Sequence, residues 1–288
     1  MIHALAPAST ANLGPGFDSA AAALDLWNEL EVETTVEFSV EISGEGADEL
    51  PRDMTHLALR AFSLFAPVER YRYRFLNRIP LERGLGSSAS AIALGLVAGA
   101  VAAGLDVDPG ELLVKGSRFE GHIDNLAAVL YGGVCVSWTH EAGPQAARIA
   151  GDMPLAPVLV VPASRTNTAH SRSGLPFTVS HHDAAVTVAA ATMLGAAIAG
   201  GSATLLRDSF HDRLHEQYRS TQSPLLQALR DDLPAGAGGV TLSGSGPSVV
   251  VWAEPERVDS VVAALQQSVP SSATVLPLRV AQAGAHVQ

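Results

Sequence analysis

The sequence predicts an α+β fold organised in two domains. Its N-terminal part contains several stretches in which apolar and polar residues alternate, the pattern of half-buried strands. In its C-terminal part, helical and strand patterns follow one another, which suits an α+β sandwich. The length of 288 residues favours two domains packed side by side over a single one.

We place the first predicted domain at residues 1–150. Alternation and β-branched residues predict strands at residues 2–5, 30–38, 38–42, 71–75 and 131–138. Helical spacing is found at residues 51–65 and 109–119. A buried helix is predicted within residues 89–105, an apolar stretch that glycines interrupt.

The second predicted domain covers residues 151–288, because a passage rich in proline and glycine at residues 143–157 indicates a boundary. Strands are predicted at residues 158–161 and 248–252, and helices at residues 183–199, 203–210, 224–231 and 258–268. A glycine-rich stretch at residues 235–246 precedes the last predicted strand.

Composition and charge exclude several classes of protein. Hydrophobic residues make up 47% of the chain and charged residues 16%, which excludes a disordered chain. The net charge of −11 argues against a nucleic-acid partner, because neutralising phosphates requires a clustered basic face. No apolar stretch reaches the roughly 20 residues of a membrane span, and no signal-peptide pattern is present. We therefore expect a cytoplasmic protein with no membrane association. The single cysteine, Cys135, is expected in the core.

The sharpest local signal is a segment rich in glycine and serine at residues 84–90. It stands between a predicted strand and an alanine-rich helix. Glycines let a phosphate approach the backbone, and the N–H groups at a helix start attract anions. The alternative is a flexible connection that ends in a serine N-cap. Because the chain contains no Gly-Lys-Ser/Thr sequence, a phosphate site here would act mainly through backbone N–H groups.

Two further segments contain turn-forming residues. Residues 6–18 read as the end of a strand followed by a polar turn at Gly14, Pro15 and Gly16. Residues 243–248 read as a tight turn before a strand. Taken alone, each segment is more typical of a turn than of a binding site.

Taken together, residues 6–18, 80–90 and 239–248 resemble the three motifs of the GHMP kinases, in their order and approximate spacing. Residues 120–125, followed by Gly132 and Gly133, are most similar to the homoserine kinases within that superfamily. The resemblance covers nearly the whole chain. It implies the GHMP kinase fold, with an N-terminal domain like domain 2 of ribosomal protein S5 and a ferredoxin-like C-terminal domain.

The resemblance also implies sites for ATP and Mg²⁺. The nucleotide would contact the second motif at Pro80, Gly84, Leu85, Gly86, Ser87, Ser88, Ala89 and Ser90. The third motif would contribute Ser243, Gly244, Ser245 and Gly246. Ser88 and Glu120 would bind Mg²⁺, since a hydroxyl and a carboxylate suit this hard cation. Without the resemblance, Glu120 would read as a surface carboxylate at a helix end.

The acceptor that the resemblance implies is a small hydroxylated amino acid, L-homoserine. Contacts with it are expected from Asn12, Asp18, His122, Asn125, Arg172 and Arg219. Two arginines can clamp an α-carboxylate, and Asp18 can accept a hydrogen bond from the ammonium or the hydroxyl group. Either arginine alone would read as part of a surface ion pair.

Catalysis is expected to depend on positioning. Many GHMP kinases have a lysine in the first motif and an acidic base before the Gly-Gly pair, whereas here Ser9 and Asn125 stand in those places. Phosphoryl transfer depends mainly on alignment and charge stabilisation, so we expect Asn125, Asp18 and Arg172 to orient the reacting groups and Asp124 to point elsewhere. A kinase for threonine or another hydroxylated amino acid, and a non-catalytic relative that binds a small molecule, are the alternatives. A homodimer is compatible with each of these functions.

Overall fold

Two β-sheets, each covered by helices, form the protein. The computed structural model describes residues 1–35, 37–166, 168–219 and 223–288, without the side chains of residues 168–170. Within these ranges the first sheet has seven strands and the second has four. The α+β class predicted from the sequence is confirmed.

A long hairpin is the centre of the first sheet. The strands of this sheet are β1 (Ile2–Ala11), β2 (Ala20–Thr34), β3 (Ser39–Gly44), β4 (Tyr71–Asn77), β5 (Val134–His140), β6 (Gly143–Ala150) and β11 (His286–Val287). β2 pairs with β1 along one edge and with both β4 and β5 along the other. β3 and β4 are parallel. The turn between β1 and β2, at residues 12–19, carries the first motif.

Four helices share a hydrophobic core with the first sheet: α1 (Leu57–Phe62), α2 (Ser87–Ala102), α3 (Pro109–Gly116) and α4 (Asp124–Tyr131). α2 is buried on nearly all sides, which explains why its sequence has no polar face. Gly95 lets α1 approach α2 closely, because a Cβ atom there would lie 1.9 Å from the carbonyl oxygen of Ala58. The start of α2 is thereby held firmly above the sheet.

The second sheet has the strand order β10-β7-β9-β8, with antiparallel pairs throughout. Its strands are β7 (Ala156–Val161), β8 (Ala237–Leu242), β9 (Val249–Ala253) and β10 (Thr274–Pro277). The helices of this half are α5 (Thr168–Ser173), α6 (His181–Gly200), α7 (Ala203–Ser209), α8 (Glu216–Arg219), α9 (Pro224–Asp231) and α10 (Val258–Ser268). α9 and α10 cover one face of the sheet.

A shared core joins the two sheets. Leu24 of the first sheet, Leu194 of α6 and Trp252 of the second sheet belong to one buried cluster, and each is at most 2% exposed. Such close packing fixes the relative position of the loops at the sheet ends. The three motifs, which lie in those loops, are therefore held at defined distances from one another.

Among the described helices, α6 has the length and apolar composition of a membrane span. One face of α6 packs into the core that the sheets share, through Leu194, Ala197 and Ile198. Because a core helix of a globular domain passes the same test, length and composition alone are weak evidence for a span. The apolar stretch at residues 89–105, by contrast, forms the buried α2 as predicted.

The structure also contains elements that the sequence patterns did not predict. α4, α5, α8, β6, β8, β10 and β11 are among them. β6 lies in the passage predicted as an interruption, and β8 lies in the glycine-rich stretch at residues 235–246. The predicted strand at residues 30–38 was too long: residues 30–34 are the end of β2, residues 35, 37 and 38 are not in a strand, and Val36 lies outside the described residues. The predicted boundary after residue 150 falls between the two sheets, but β11 returns to pair with β1.

Candidate active site

The loop before α2 has the geometry of an anion-binding site. Gly84 and Gly86 have φ angles of +73° and +65°, in the left-handed region that favours glycine. Gly86 is the N-cap of α2, and no side chain in the described part of the chain caps the helix. The first N–H groups of α2 therefore remain available to an anion, with the positive end of the helix dipole behind them.

The other two motifs pack directly against this loop. A Cβ atom on Gly86 would lie 2.0 Å from Oγ of Ser9, in the first motif. A Cβ atom on Gly84 would lie 2.1 Å from the carbonyl oxygen of Ser243, in the third motif. The Ser243 hydroxyl also donates a hydrogen bond of 2.7 Å to the carbonyl oxygen of Gly84. Three segments that are distant in sequence thus form one surface.

Arg83, the basic residue of the second motif, ties this loop to the second half of the chain. Its guanidinium donates to the carbonyl oxygens of Pro162 and Ala163, at 3.0 Å and 2.9 Å. It donates to Leu81 as well. Because these bonds occupy its side chain, the N–H groups of α2 are left as the main donors at the helix start.

Ser88 and Glu120 form the candidate cation site. The Ser88 hydroxyl lies near enough to the Glu120 carboxylate to favour its ionised form. Burial raises the pKa of Glu120 to about 7, and the negative charge of Asp124 acts in the same direction. A buried carboxylate beside a second one is stabilised when a cation binds. Both groups offer oxygen atoms, so this pair fits Mg²⁺.

A cavity of about 640 Å³ opens in front of these groups. This volume lies within the usual range for small-molecule sites. The predicted site residues that line this cavity are Pro80, Gly84, Leu85, Gly86, Ser87, Ser88, Ala89, Glu120, His122, Asn125, Gly244 and Ser245. Ser90, which was also predicted to contact ATP, does not line the cavity. It is fully buried and its hydroxyl donates to the carbonyl oxygen of Ala6, so its side chain supports the helix.

Asp18 and Arg172 are joined by a short ion pair. Nη2 of Arg172 lies 2.6 Å and 2.8 Å from the two carboxylate oxygens of Asp18. The pKa of His122 is lowered, with burial as the main cause and the charge of Arg172 next, while the charge of Asp18 acts in the opposite direction. His122, which lines the cavity, is therefore favoured in its neutral form.

Arg219 is the second predicted arginine, and it is 3% exposed. Its Nη1 atom lies 3.1 Å from Nδ1 of His215 and 3.4 Å from the carbonyl oxygen of Gly244. Burial, and then the positive charge of Arg172, lower the pKa of Arg219. The two arginines are thus close enough to interact, as the predicted carboxylate clamp requires.

Asn12 and Asn125 are both engaged within the protein. The Asn12 amide donates a hydrogen bond of 2.8 Å to the carbonyl oxygen of Gly244 and accepts one of 3.0 Å from the N–H group of Asp18. Oδ1 of Asn125 accepts from the Ser9 hydroxyl at 2.8 Å. Asn12 is 4% exposed, so the structure gives it the role of holding Asp18 and the third motif in place.

Sequence reasoning missed several residues of the site. Asp124 was expected to point elsewhere, but it lines the cavity beside Asn125, and burial raises its pKa to about 6. It is the first residue of α4, a helix the patterns did not predict. His56 also lines the cavity, with its ring tilted by 32° against that of Phe75 and 4.4 Å between the centroids. A buried histidine before a helix leaves no clear sequence signal, whereas recognising α4 would have placed Asp124 on the cavity side.

Two family models match the chain on either side of this cavity. One, described as the GHMP kinases N terminal domain, matches residues 52–133. The other, described as GHMP kinases C terminal, matches residues 193–271. The first includes the loop before α2, Ser88 and Glu120; the second includes Arg219 and the third motif. Fold and site together define a small-molecule kinase of this class, and the chain belongs to the GHMP kinase family.

Within this family, the curated relatives that match nearly the whole chain are homoserine kinases. The one from Streptomyces coelicolor is 38% identical over 266 residues, which cover 89% of this chain and 86% of the relative. The one from Desulfitobacterium hafniense is 33% identical, over 93% and 92% of the two chains. The solved structure of homoserine kinase from Cytophaga hutchinsonii, 24% identical, superposes with a TM-score of 0.85 over 100% of this chain and 97% of that one. The last match supports the fold.

Proposed function

We propose that the protein transfers the γ-phosphate of ATP to the side-chain hydroxyl of L-homoserine, giving O-phospho-L-homoserine, a step of threonine biosynthesis. The relatives named homoserine kinases support this activity. One observation supports it: the uncapped start of α2 lines one cavity with His122 and Asn125, and the charges of Asp18 and Arg172 act on the pKa of His122. A phosphate donor and a carboxylate-bearing acceptor can therefore meet there.

ATP would occupy the cavity with its phosphates at the start of α2. The available N–H groups and the glycine backbone suit a polyphosphate, and the volume of about 640 Å³ suits a nucleotide. His56 and Phe75 also line the cavity, with 4.4 Å between their ring centroids. The remaining second-motif residues would contact the phosphates mainly through their backbone.

Mg²⁺ would be held by Ser88 and Glu120. When bound, the cation neutralises charge on the phosphate oxygens during transfer. Its presence would also stabilise the ionised form of Glu120, whose pKa burial raises to about 7. Asp124 lies near enough to Glu120 to influence that pKa, so its negative charge adds to the attraction for a cation.

The acceptor would lie with its carboxylate toward Arg172 and Arg219. Asp18, held by Asn12, is placed to accept a hydrogen bond from the ammonium or hydroxyl group. His122 and Asn125 line the cavity next to this end and would contact the rest of the amino acid. Binding of the carboxylate would give the two like-charged arginines a shared counter-ion.

The chain's own contribution to the chemical step is positioning. Asn125, Asp18 and Arg172 would align the hydroxyl with the phosphate at the start of α2, and the N–H groups there would stabilise developing charge. Asp124 is a carboxylate beside Asn125 in the same cavity, and its partners fix its orientation: Oδ1 accepts from the backbone N–H group of Asn125 at 2.7 Å. The hydroxyl proton can pass to such a group late in the transfer.

A coupled ADP-release assay tests the proposal. The purified chain would be given ATP and Mg²⁺ with homoserine, threonine, serine or 3-aminopropan-1-ol, which lacks the carboxylate. We expect homoserine to give the highest kcat/KM and 3-aminopropan-1-ol the lowest. A preference for threonine would leave the kinase chemistry intact but replace the substrate, and no acceptor-dependent ADP release would overturn the proposed activity. Cytoplasmic location and a homodimer remain predictions.

A further inference from the structure

The ring of Phe17 lies against both arginines of the proposed acceptor site. The Cζ atoms of Arg172 and Arg219 each lie 5.5 Å from its centroid. At this distance the face of an aromatic ring attracts a cation. The ring is also stacked on His215, with 4.9 Å between centroids and 19° between planes. One side chain of the first motif thus contacts three side chains from the second half of the chain.

His215 is held in a single neutral form by its hydrogen bonds. It is fully buried, with Nε2 at 2.8 Å from the carbonyl oxygen of Gly14 and Nδ1 at 3.1 Å from Nη1 of Arg219. A carbonyl oxygen can only accept and a guanidinium can only donate, so Nε2 carries the proton and Nδ1 carries a lone pair. His215 therefore faces Arg219 with an acceptor and adds no positive charge.

The two arginines need such support because they repel each other. The charge of Arg172 contributes to the lowered pKa of Arg219. Asp18 neutralises Arg172 on one side. In the described part of the chain, the Nε atoms of both arginines are buried and have no hydrogen-bond partner. Donors of this kind can serve a ligand that brings its own acceptor oxygens.

We propose that Phe17 and His215 form a neutral cradle that fixes Arg172 and Arg219 as the binding site for the carboxylate of the substrate. The inference rests on the proposed function, which places a carboxylate-bearing acceptor at this end of the site. An aromatic face and an imidazole lone pair contact the two cations and bring no further carboxylate to them. A second carboxylate in their place would compete with the substrate. Phe17 and His215 are positioning residues, since they act through the arginines.

Substitutions of Phe17 test the cradle. Phe17→Leu removes the aromatic face but keeps an apolar side chain, whereas Phe17→Tyr keeps the face. The matched control is Phe65→Leu, which removes a ring that lies under Lys115 at 5.4 Å, outside the site. We measure KM for homoserine, KM for ATP, kcat, and Ki for 2-aminobutyrate, which keeps the carboxylate and lacks the hydroxyl.

For Phe17→Leu we expect KM for homoserine and Ki for 2-aminobutyrate to rise together by about 10- to 100-fold, the loss of two cation–π contacts. KM for ATP should change by less than about 3-fold, because neither arginine lines the nucleotide cavity. The same limit is expected for kcat at saturating homoserine, because Phe17→Leu leaves Arg172 and its partner Asp18 in place. Phe17→Tyr and Phe65→Leu should stay near the wild type. In an Arg219→Ala background, Phe17→Leu should add less than its effect alone.

Other outcomes would overturn the cradle. One is an unchanged KM for homoserine in Phe17→Leu, and another is an equal defect in Phe17→Tyr. A third is a double variant in which the effects of Phe17→Leu and Arg219→Ala on KM multiply, as the effects of independent residues do. If Phe17→Leu does not fold, His215 provides the test. His215→Phe keeps the stacked ring but offers Arg219 no acceptor, so KM for homoserine should rise by about 10-fold. His215→Gln, whose amide can accept, should recover most of it, and equal defects in both would also count against the cradle.

The assay separates this inference from the proposed function. If the wild type phosphorylates homoserine but Phe17→Leu retains its KM, the function stands and the cradle is wrong. If the wild type prefers another carboxylate-bearing acceptor, the function is wrong, and the same variants are compared on that acceptor with the same expected shifts. If it prefers an acceptor without a carboxylate, both are wrong.

Discussion

Arg172 pairs with Asp18 through a single nitrogen: its Nη2 atom lies 2.6 Å and 2.8 Å from the two carboxylate oxygens. Asp18 comes from the turn between β1 and β2, and Arg172 comes from α5, so the pair joins the two halves of the chain. About a third of each side chain is exposed, 38% for Arg172 and 35% for Asp18. The contact is accessible enough for a ligand to exchange with it, and several predictions about the site start from it.

Replacement of Arg172 or Arg219 by alanine should lower kcat/KM for homoserine. The lost transition-state binding free energy should be about 2 to 5 kcal/mol, the usual effect of removing one partner of a desolvated charge pair. KM for ATP should change little, because neither arginine lines the nucleotide cavity. Steady-state kinetics with each substrate varied in turn measure both quantities. The control is Arg78→Ala, which removes an exposed arginine paired with Glu29 at 2.7 Å. Full homoserine activity in both variants would contradict the clamp.

Ser88→Ala and Glu120→Gln should reduce turnover with Mg²⁺ and ATP far more than they reduce thermal stability. Glu120→Gln should leave Tm unchanged or raise it, because burial disfavours the ionised carboxylate. Turnover over a Mg²⁺ titration and melting curves give the two readouts. Glu254→Gln, at an exposed carboxylate paired with Arg207, is the control. If Ser88→Ala and Glu120→Gln both keep wild-type turnover, the metal assignment is wrong.

Asp124→Asn tests how much of the catalysis depends on a carboxylate. Asparagine can still accept the hydrogen bond from the Asn125 N–H group, so the fold should be retained. If positioning dominates, kcat should fall by only about 10-fold, whereas the loss of a dedicated base costs about 100- to 10,000-fold. Single-turnover measurements at saturating substrates report the chemical step. A fall above about 1,000-fold would show that Asp124 is the base.

Gly86→Ala should destabilise the protein by more than about 3 kcal/mol, since it combines an unfavourable φ with a clash. The φ angle is +65°, and the added Cβ atom would lie 2.0 Å from Oγ of Ser9. Gly104→Ala is the control: its φ is +71°, but nothing lies within 4 Å of the added atom. That variant should lose about 1 kcal/mol. Chemical denaturation compares the two, and equal losses would mean that the contact with Ser9 is unimportant.

His56 should make the protein sensitive to acid. Burial lowers its pKa to about 4, and its Nδ1 atom accepts a hydrogen bond from the N–H group of Ala58. The unfolded chain, in which histidine titrates near 6.5, then binds more protons than the folded one between those values, so stability falls as pH drops. The contribution lost between pH 7 and pH 5 is about 2 kcal/mol.

Denaturation at several pH values, for the wild type and His56→Asn, isolates this contribution. Asparagine can also cap α1 but does not titrate, so the variant should lose less stability between pH 7 and pH 5. The comparison is needed because Glu120 and Asp124, whose pKa values burial raises, contribute in the opposite direction, stabilising the fold as pH falls. Parallel pH curves for the two proteins would show that His56 does not titrate as expected.

Much of the fold could be predicted from the sequence because it depends on local patterns. Alternation predicted β4, and continuous apolar character predicted β9 and the buried α2. The glycine-rich loop before α2 was predictable for a similar reason, since left-handed φ angles at Gly84 and Gly86 favour glycine. α4 and β8 were missed, because small and apolar residues at buried positions carry no clear period.

By itself, the sequence determined the class of the protein: its three motifs, read together, resembled the GHMP kinases, and the family models match. Only the tertiary structure decided what individual residues in those motifs do. Asn12 holds Asp18, Ser90 supports α2, Asp124 reaches the cavity, and Phe17 contacts two arginines. The physical reason is that a motif contains the residue types that a site needs, but not their surroundings. Burial, charge and hydrogen bonding at each position depend on segments that are distant in the chain. Those segments meet only when both sheets pack around a shared core.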